Sequence, residues 1–434
     1  MKIVQLTPGT GNFYCGLCMR DSTLAAALRR LGHDAVIVPM YLPMMIDEPA
    51  PAGEAPMFFG GINVYLQQKS ALFRHTPAWL DRLLDRPRLL RWAAGRAGLT
   101  REEDLGEITL SMLQGEQGRQ VKELHKLLAW LSKDEHRPQV VCLSNVMLAG
   151  LAGAIRSRLN VPVLCTLHGE DAFLDGLPDP YRERAWSELA RRAADVEAFI
   201  AVSRYYGEVM RRRLELPPGK VHVVHNGILL DGYAPAAAPP DPPVVGYLAR
   251  WSPQKGLHTL IEAFVHLRKR GRVAGVRLRV AGTTIPADEP FVSRLRTRLA
   301  ENGLGSAAEF LPNVSHGDKQ EFLRSLSVLS VPATYGEAFG LYCLEAWACG
   351  VPVVQPRHGA FPELIEATGG GILCPPDDPQ ALAESIESLL LDADRMRVLG
   401  RRGREAVLER FGVERMAREV LDVCRRAAGV EARA

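Results

Sequence analysis

The stretch KIVQLTPGTGNFYCGLCMRDSTLAAALRRLGHDAVIVP, residues 2–39, decides the fold class. It opens with an apolar run, KIVQLT, and passes through a glycine-bearing loop. MRDSTLAAALRRLG then carries helical periodicity, and DAVIVPMY is a second apolar run. Asp21 or Ser22 stands where a helix cap is expected, and Gly32 stands where the helix should stop. Strand, helix and strand at this spacing make a βαβ unit, whose two strands must run parallel.

The same plan recurs downstream. QVVCLSN, VPVLCTLHG and AFIAVS are continuous apolar runs, as expected of strands covered on both faces, with NVMLAGLAGAIRSRL as a helix between the first two. Between Tyr41 and Gln139 the pattern loosens. There PAWLDRLLDRPRLLRWAAGRAG (77–98) interleaves tryptophan and leucine with arginine, and Pro87 forbids a single unbroken helix. Two helices packed with basic outer faces are expected; peripheral contact of residues 74–96 with an anionic membrane surface is the alternative.

At DGYAPAAAPPDPPVVGYLAR, residues 231–250, composition shifts sharply to proline and alanine, which reads as a linker. A second αβ series follows, from VVGYLA through VRLRVAGT, AEFLPNV and SVLSVPA to VPVVQP. The expected organisation is a first domain over 1–228, a linker over 229–243 and a second domain over 244–404. A helical tail, 405–434, could cross back to the first domain. Two doubly wound α/β domains in tandem are thus expected, with ligands held outside the carboxyl ends of the strands.

The chain has 434 residues, which favours two cores over one. Hydrophobic residues make up 47% and charged residues 24%, and the net charge of +3 is too small to point to nucleic acid. The eight cysteines lie mostly in apolar segments, a pattern of reduced buried thiols and a cytoplasmic setting rather than a disulfide framework. Cys15-Gly-Leu-Cys18 has no second cysteine or histidine pair at ligand spacing, so reduced thiols are expected there too. MKIVQLTPG reads as a first strand and not a signal peptide, and no run of about eighteen apolar residues offers a spanning helix.

Three loops after strands of the second domain hold unusual polar residues. ARWSPQKG puts Arg250 and Lys255 before a helix, an arrangement suited to a diphosphate. TYGEAFGLYCLEAWACG places Glu337 just before a helix N-terminus and buries Glu345 in an apolar run. A buried carboxylate costs several kcal/mol unless compensated. Either ribose hydroxyls or a basic partner within the fold would compensate Glu345; Glu337 suits sugar hydroxyls or the helix dipole. RHGAFPELIE starts a helix near Pro362, whose first turn gives Glu363 an ordinary place.

GEAFGLYCLEAWACGVPVV, with ARWSPQKG upstream and GAFPELIE then GGGILCPPDDPQALAESI downstream, resembles the retaining glycosyltransferases of family 4. TLHGED and VHVVHNGI in the first half agree more loosely. The resemblance implies a GT-B fold of two Rossmann-like domains facing across a cleft, and a nucleotide-sugar donor of the UDP or GDP kind. A hexose would pass to a hydroxyl acceptor (a glycan, a lipid-linked species or a small molecule). By this likeness Glu337 and the amides of Phe339, Gly340 and Leu341 hold the donor sugar, with His168 bordering it. Arg250, Lys255 and Gly16 meet the diphosphate, Glu345 binds the ribose, and Val314 lies at the nucleobase. Glu337, His168, Arg250 and Lys255 form the catalytic set. No Asp-x-Asp pair follows a strand, so fixed cations are expected in place of a metal, and no cofactor beyond the donor is implied. The chain departs from the family pattern at Ala249, at Cys15 and Cys18, and at Pro312. A GT-B epimerase and a non-catalytic sugar-nucleotide-binding protein are the alternative readings.

Overall fold

The computed structural model describes residues 1–9, 16–42, 56–74, 76 and 102–430. Cys15 and the whole of the expected basic helix pair, residues 77–98, lie outside these. The chain divides into two compact units: Met1–His225 with Val413–Ala434, and Asn226–Gly412.

The first unit holds six strands: β1 (Lys2–Thr7), β2 (Asp34–Pro39), β3 (Val140–Leu143), β4 (Val163–Leu167), β5 (Ala198–Ala201) and β6 (Val221–Val223). They form one parallel sheet in the order β2-β1-β3-β4-β5-β6. The central strands β3, β4 and β5 are buried at every residue, because helices cover both faces. The first helix runs Gly16–Arg30, earlier than its capping pattern suggested. Asp21 therefore caps nothing. It sits fully buried inside the helix, bonded to Arg20 and to Thr7 at the end of β1. The expected single helix over 145–159 is instead a 3-10 segment, Val146–Leu151, capped by Asn145, followed by helix Ala152–Leu159.

The second unit has β7 (Val244–Leu248), β8 (Arg277–Gly282), β9 (Ala308–Pro312), β10 (Val328–Leu329), β11 (Val353–Pro356) and β12 (Gly371–Cys374). These are again all parallel, in the order β12-β11-β10-β7-β8-β9. Trp347, fully buried, anchors its helical layer: Nε1 donates to the Gly370 carbonyl at 2.7 Å. A Cβ added at Gly403 would stand 2.4 Å from the same indole, so only glycine lets that helix approach so closely.

The Pro-rich stretch 229–243, expected as a linker, falls within the second unit. The expected tail is two helices, Ala393–Arg410 and Val413–Ala427, broken at Phe411–Gly412. The first of these belongs to the second unit, and the last packs in the first unit. There Arg415 donates to the His225 carbonyl at 2.8 Å. Among the described residues no helix is long and apolar enough to cross a membrane.

Candidate functional site

In each sheet the strand order reverses once, and the loops on either side of that reversal are where doubly wound folds hold ligands. In the second unit the reversal lies between β7 and β10. Lys255 follows β7 and Glu337 follows β10, and their side chains meet there with Nζ 2.5 Å from Oε2.

Several residues fix that meeting. Gly256, at φ +70°, lets the β7 loop touch the β10 loop; a Cβ there would lie 1.7 Å from the Pro332 carbonyl oxygen. The Thr334 amide donates to the Gln254 carbonyl at 2.9 Å, closing the same contact. The Ala360 amide donates to the Glu337 carbonyl, and Gly359 at φ +62° allows that approach. Tyr247, wholly buried, donates to the carbonyls of both Arg250 and Lys255, at 3.0 and 3.3 Å, and so ties the basic loop to its strand.

The carboxylate of Glu337 is buried, and the Tyr342 hydroxyl also donates to its Oε2 at 3.0 Å. The Tyr335 hydroxyl lies 2.5 Å from the Lys255 ammonium. Burial disfavours the charge on Lys255, but the Glu337 carboxylate and then Tyr335 outweigh it and raise the ammonium above the ordinary lysine range. Burial, then the Glu337 charge, likewise pushes the Tyr342 phenol up. A cation and an anion are thus held ready at the strand ends.

Arg250 is separate from this pair. Its guanidinium, half exposed, reaches Asp288 beyond β8 at 3.3 Å. Phe339 and Gly340 are buried at the start of helix Leu341–Ala348, with Gly340 at φ +92° as its N-cap, and Leu341 follows half-buried. Glu345, on that helix, has the basic partner that burial demands: Lys319 Nζ lies 2.5 Å from its Oε1. The Tyr233 hydroxyl bonds the same oxygen at 3.2 Å. Glu363 falls in the first turn of helix Phe361–Thr368, as expected. Val314 is half-buried in the loop after β9, next to the Ser315 cap of the following helix.

The first unit places Gly16 and His168 at its own strand ends. Gly16 opens the helix after β1, and His168 follows β4 directly. Burial, and then the neighbouring Arg20 charge, hold the His168 imidazole well below its usual range, so the ring is neutral. Its Nε2 is buried and has no hydrogen-bond partner among the described residues. Behind it Glu170 gathers the loop. Its carboxylate accepts from the amides of His168, Gly169 and Val146 at 2.8, 2.9 and 3.1 Å, and from the Tyr206 hydroxyl at 3.1 Å. Burial raises the Glu170 carboxyl, and the backbone donors oppose that rise.

Sequence reasoning missed Tyr247, Tyr335, Tyr342, Lys319, Tyr233, Arg20 and Glu170. Only Glu170 carried a signal, since an acid inside the turn HGED must meet amides or water. Among the described residues no group of three or more His, Cys, Asp or Glu side chains is placed to hold a metal ion.

Residues 234–406 match the family described as glycosyl transferases group 1, and residues 95–231 match glycosyltransferase family 4. The alpha-maltose-1-phosphate synthase of Mycolicibacterium smegmatis is 31% identical over 66% of this chain and 78% of that protein. A D-inositol 3-phosphate glycosyltransferase of Streptomyces bingchenggensis is 29% identical over 66% of this chain and 67% of its own length. Among solved structures, a sucrose-phosphate synthase from Thermosynechococcus elongatus superposes with a TM-score of 0.73 at 20% identity, covering 99% of this chain and 100% of the other. Anabaena HepE, solved in complex with UDP and glucose, gives a TM-score of 0.69 at 17% identity over 98% of this chain and 99% of its own. These structures share the GT-B fold of two Rossmann-like domains.

Proposed function

Because the chain belongs to the group 1 glycosyltransferases, we propose that it moves a hexose from a UDP- or GDP-linked donor to a hydroxyl acceptor, with retention and without a metal. The observation that supports this best is the Lys255–Glu337 pair at the reversal point of the second sheet. Its cation suits a diphosphate, and its anion suits sugar hydroxyls on the adjoining hexose.

In the proposed reaction the bond from the anomeric carbon to the diphosphate oxygen breaks, and negative charge grows on the departing nucleoside diphosphate. Lys255, with the more exposed Arg250 and the amides at the Leu341 helix terminus, stabilises that charge. These fixed cations do the work that a divalent ion would otherwise do. The acceptor hydroxyl attacks from the same face, and its proton passes to the diphosphate oxygen that has just left. Glu337 holds the hexose hydroxyls. Gly16 approaches the diphosphate, Val314 the base, and Glu345 the ribose. His168, neutral and with an Nε2 that has no partner among the described residues, offers a hydrogen bond to a donor or acceptor hydroxyl without adding charge.

A screen of UDP-, GDP- and ADP-hexoses, read by nucleotide release with and without EDTA, tests the proposal. Release from a UDP- or GDP-sugar that persists in EDTA is expected, and anomeric analysis of the product should show retention. Release that stops in EDTA contradicts metal independence, and epimerised donor without transfer contradicts the reaction class.

A further inference from the structure

We infer that Lys319 is a positioning residue for donor binding: with Tyr233 it turns the Glu345 carboxylate so that Oε2 receives the ribose hydroxyls. This rests on the assignment of Glu345 to the ribose made above.

Lys319 is placed where stability alone would not put a lysine. It lies in the first turn of helix His316–Arg324, the end at which the helix dipole disfavours a cation. Its side chain is only 5% exposed, so desolvation and lost rotamer freedom both count against it. Replacing such a buried ion pair by apolar side chains is often neutral or stabilising, so burial of the pair is weak evidence for a purely stabilising role.

Its geometry relative to Glu345 is specific. Lys319 Nζ and the Tyr233 hydroxyl both bond Oε1, the first at 2.5 Å and the second at 3.2 Å. Two donors on one oxygen fix the plane of the carboxylate and leave Oε2 as the acceptor for a ligand. The Glu345 side chain keeps 13% exposure on a helix whose Leu344, Ala346 and Trp347 are wholly buried.

The helix that carries Lys319 also holds Tyr233 in place. Gln320 donates to the Asp231 carbonyl at 3.0 Å, and Arg324 donates to the Gly232 carbonyl at 3.2 Å. Arg404 secures the Tyr233 carbonyl at 3.2 Å. Lysine, tyrosine and carboxylate therefore form one braced unit.

Calorimetric titration tests this, using UDP, GDP and ADP and the 2′,3′-dideoxy form of whichever binds most tightly. Wild type should bind the dideoxy form about tenfold more weakly. K319M should lose about tenfold for the ordinary nucleotide, and should bind the dideoxy form as wild type does. K319R should stay within about threefold of wild type, since its longer, forked side chain still places a donor on Oε1. Equal binding by K319M and wild type overturns the inference, as does a K319M loss that is the same for the dideoxy form. E345Q separates the two claims. If E345Q loses the ribose preference and K319M keeps it, only the role of Lys319 falls. If E345Q itself binds as wild type, or if no nucleotide binds, the ribose assignment falls and takes the inference with it.

Discussion

The two units solve the same topological problem with opposite electrostatics. Where the second sheet reverses, Lys255 and Glu337 meet as a charged pair drawn from two different strand ends. After β4 in the first sheet, His168 and Glu170 are neutral or closed on themselves. His168 is uncharged, and Glu170 is taken up by three amides and a phenol. The difference teaches what each surface is for. A preformed charge pair is suited to an ion arriving or leaving, whereas a fully bonded carboxylate holds a backbone in place.

The sharpest way to break that contrast is K255A. Removing one stabiliser of a leaving anion should lower kcat by about 100- to 1000-fold, with circular dichroism confirming that the fold persists. Turnover close to wild type would make the pair structural, like Glu170.

On the other side, E170A should leave kcat secondary to a loss of stability. Three amides and the Tyr206 hydroxyl lose their acceptor, so urea unfolding should show a deficit of at least about 3 kcal/mol. E170Q keeps an acceptor oxygen and should recover part of it.

Asp21 gives a pH-dependent handle on the same unit. Burial raises its carboxyl to about 6, against the opposing Arg20 charge. The folded state therefore keeps a proton that the unfolded state releases near pH 4. Stability contributed by this group falls as pH rises from about 4 to 6 and is flat above, whereas D21N lacks the effect. The stability of D21N relative to wild type should rise across that window by at most about 3 kcal/mol.

The smallest expected effect concerns His168. NMR titration should show the imidazole neutral down to well below its usual midpoint, and activity should show no acid limb arising from it at pH 6–8. Because burial is the main cause and Arg20 the second, R20Q should move the midpoint upward without restoring the ordinary value.

Much of this architecture was legible in residue order. KIVQLT and VVGYLA are near-exact strands, because continuous apolar runs bounded by Gly and Pro leave little choice. The short edge strand β6 and β12 at the other sheet's edge were not read as strands. One is only three residues long, and the other begins in a glycine run. Charged residues of the site were visible because acids and bases in apolar or glycine-rich settings stand out. Lys255, Glu337 and Glu345 were each found that way.

What orients them was invisible. Tyr247, Tyr335 and Tyr342 look like ordinary core aromatics until the fold turns their hydroxyls onto Lys255 and Glu337. Lys319 looks like one more helix-surface lysine, and its partner lies 26 positions away. Asp21 shows the converse error: local capping chemistry suggested a helix start, and a buried pair with Arg20 took the residue instead.

The most direct test is a crystal structure with UDP or GDP bound, whichever the donor screen selects. The account predicts Lys255 Nζ at about 3 Å from a phosphate oxygen, with Glu337 beside the space left by the hexose. A nucleotide bound elsewhere, with the Lys255–Glu337 contact undisturbed and no phosphate near it, would contradict it.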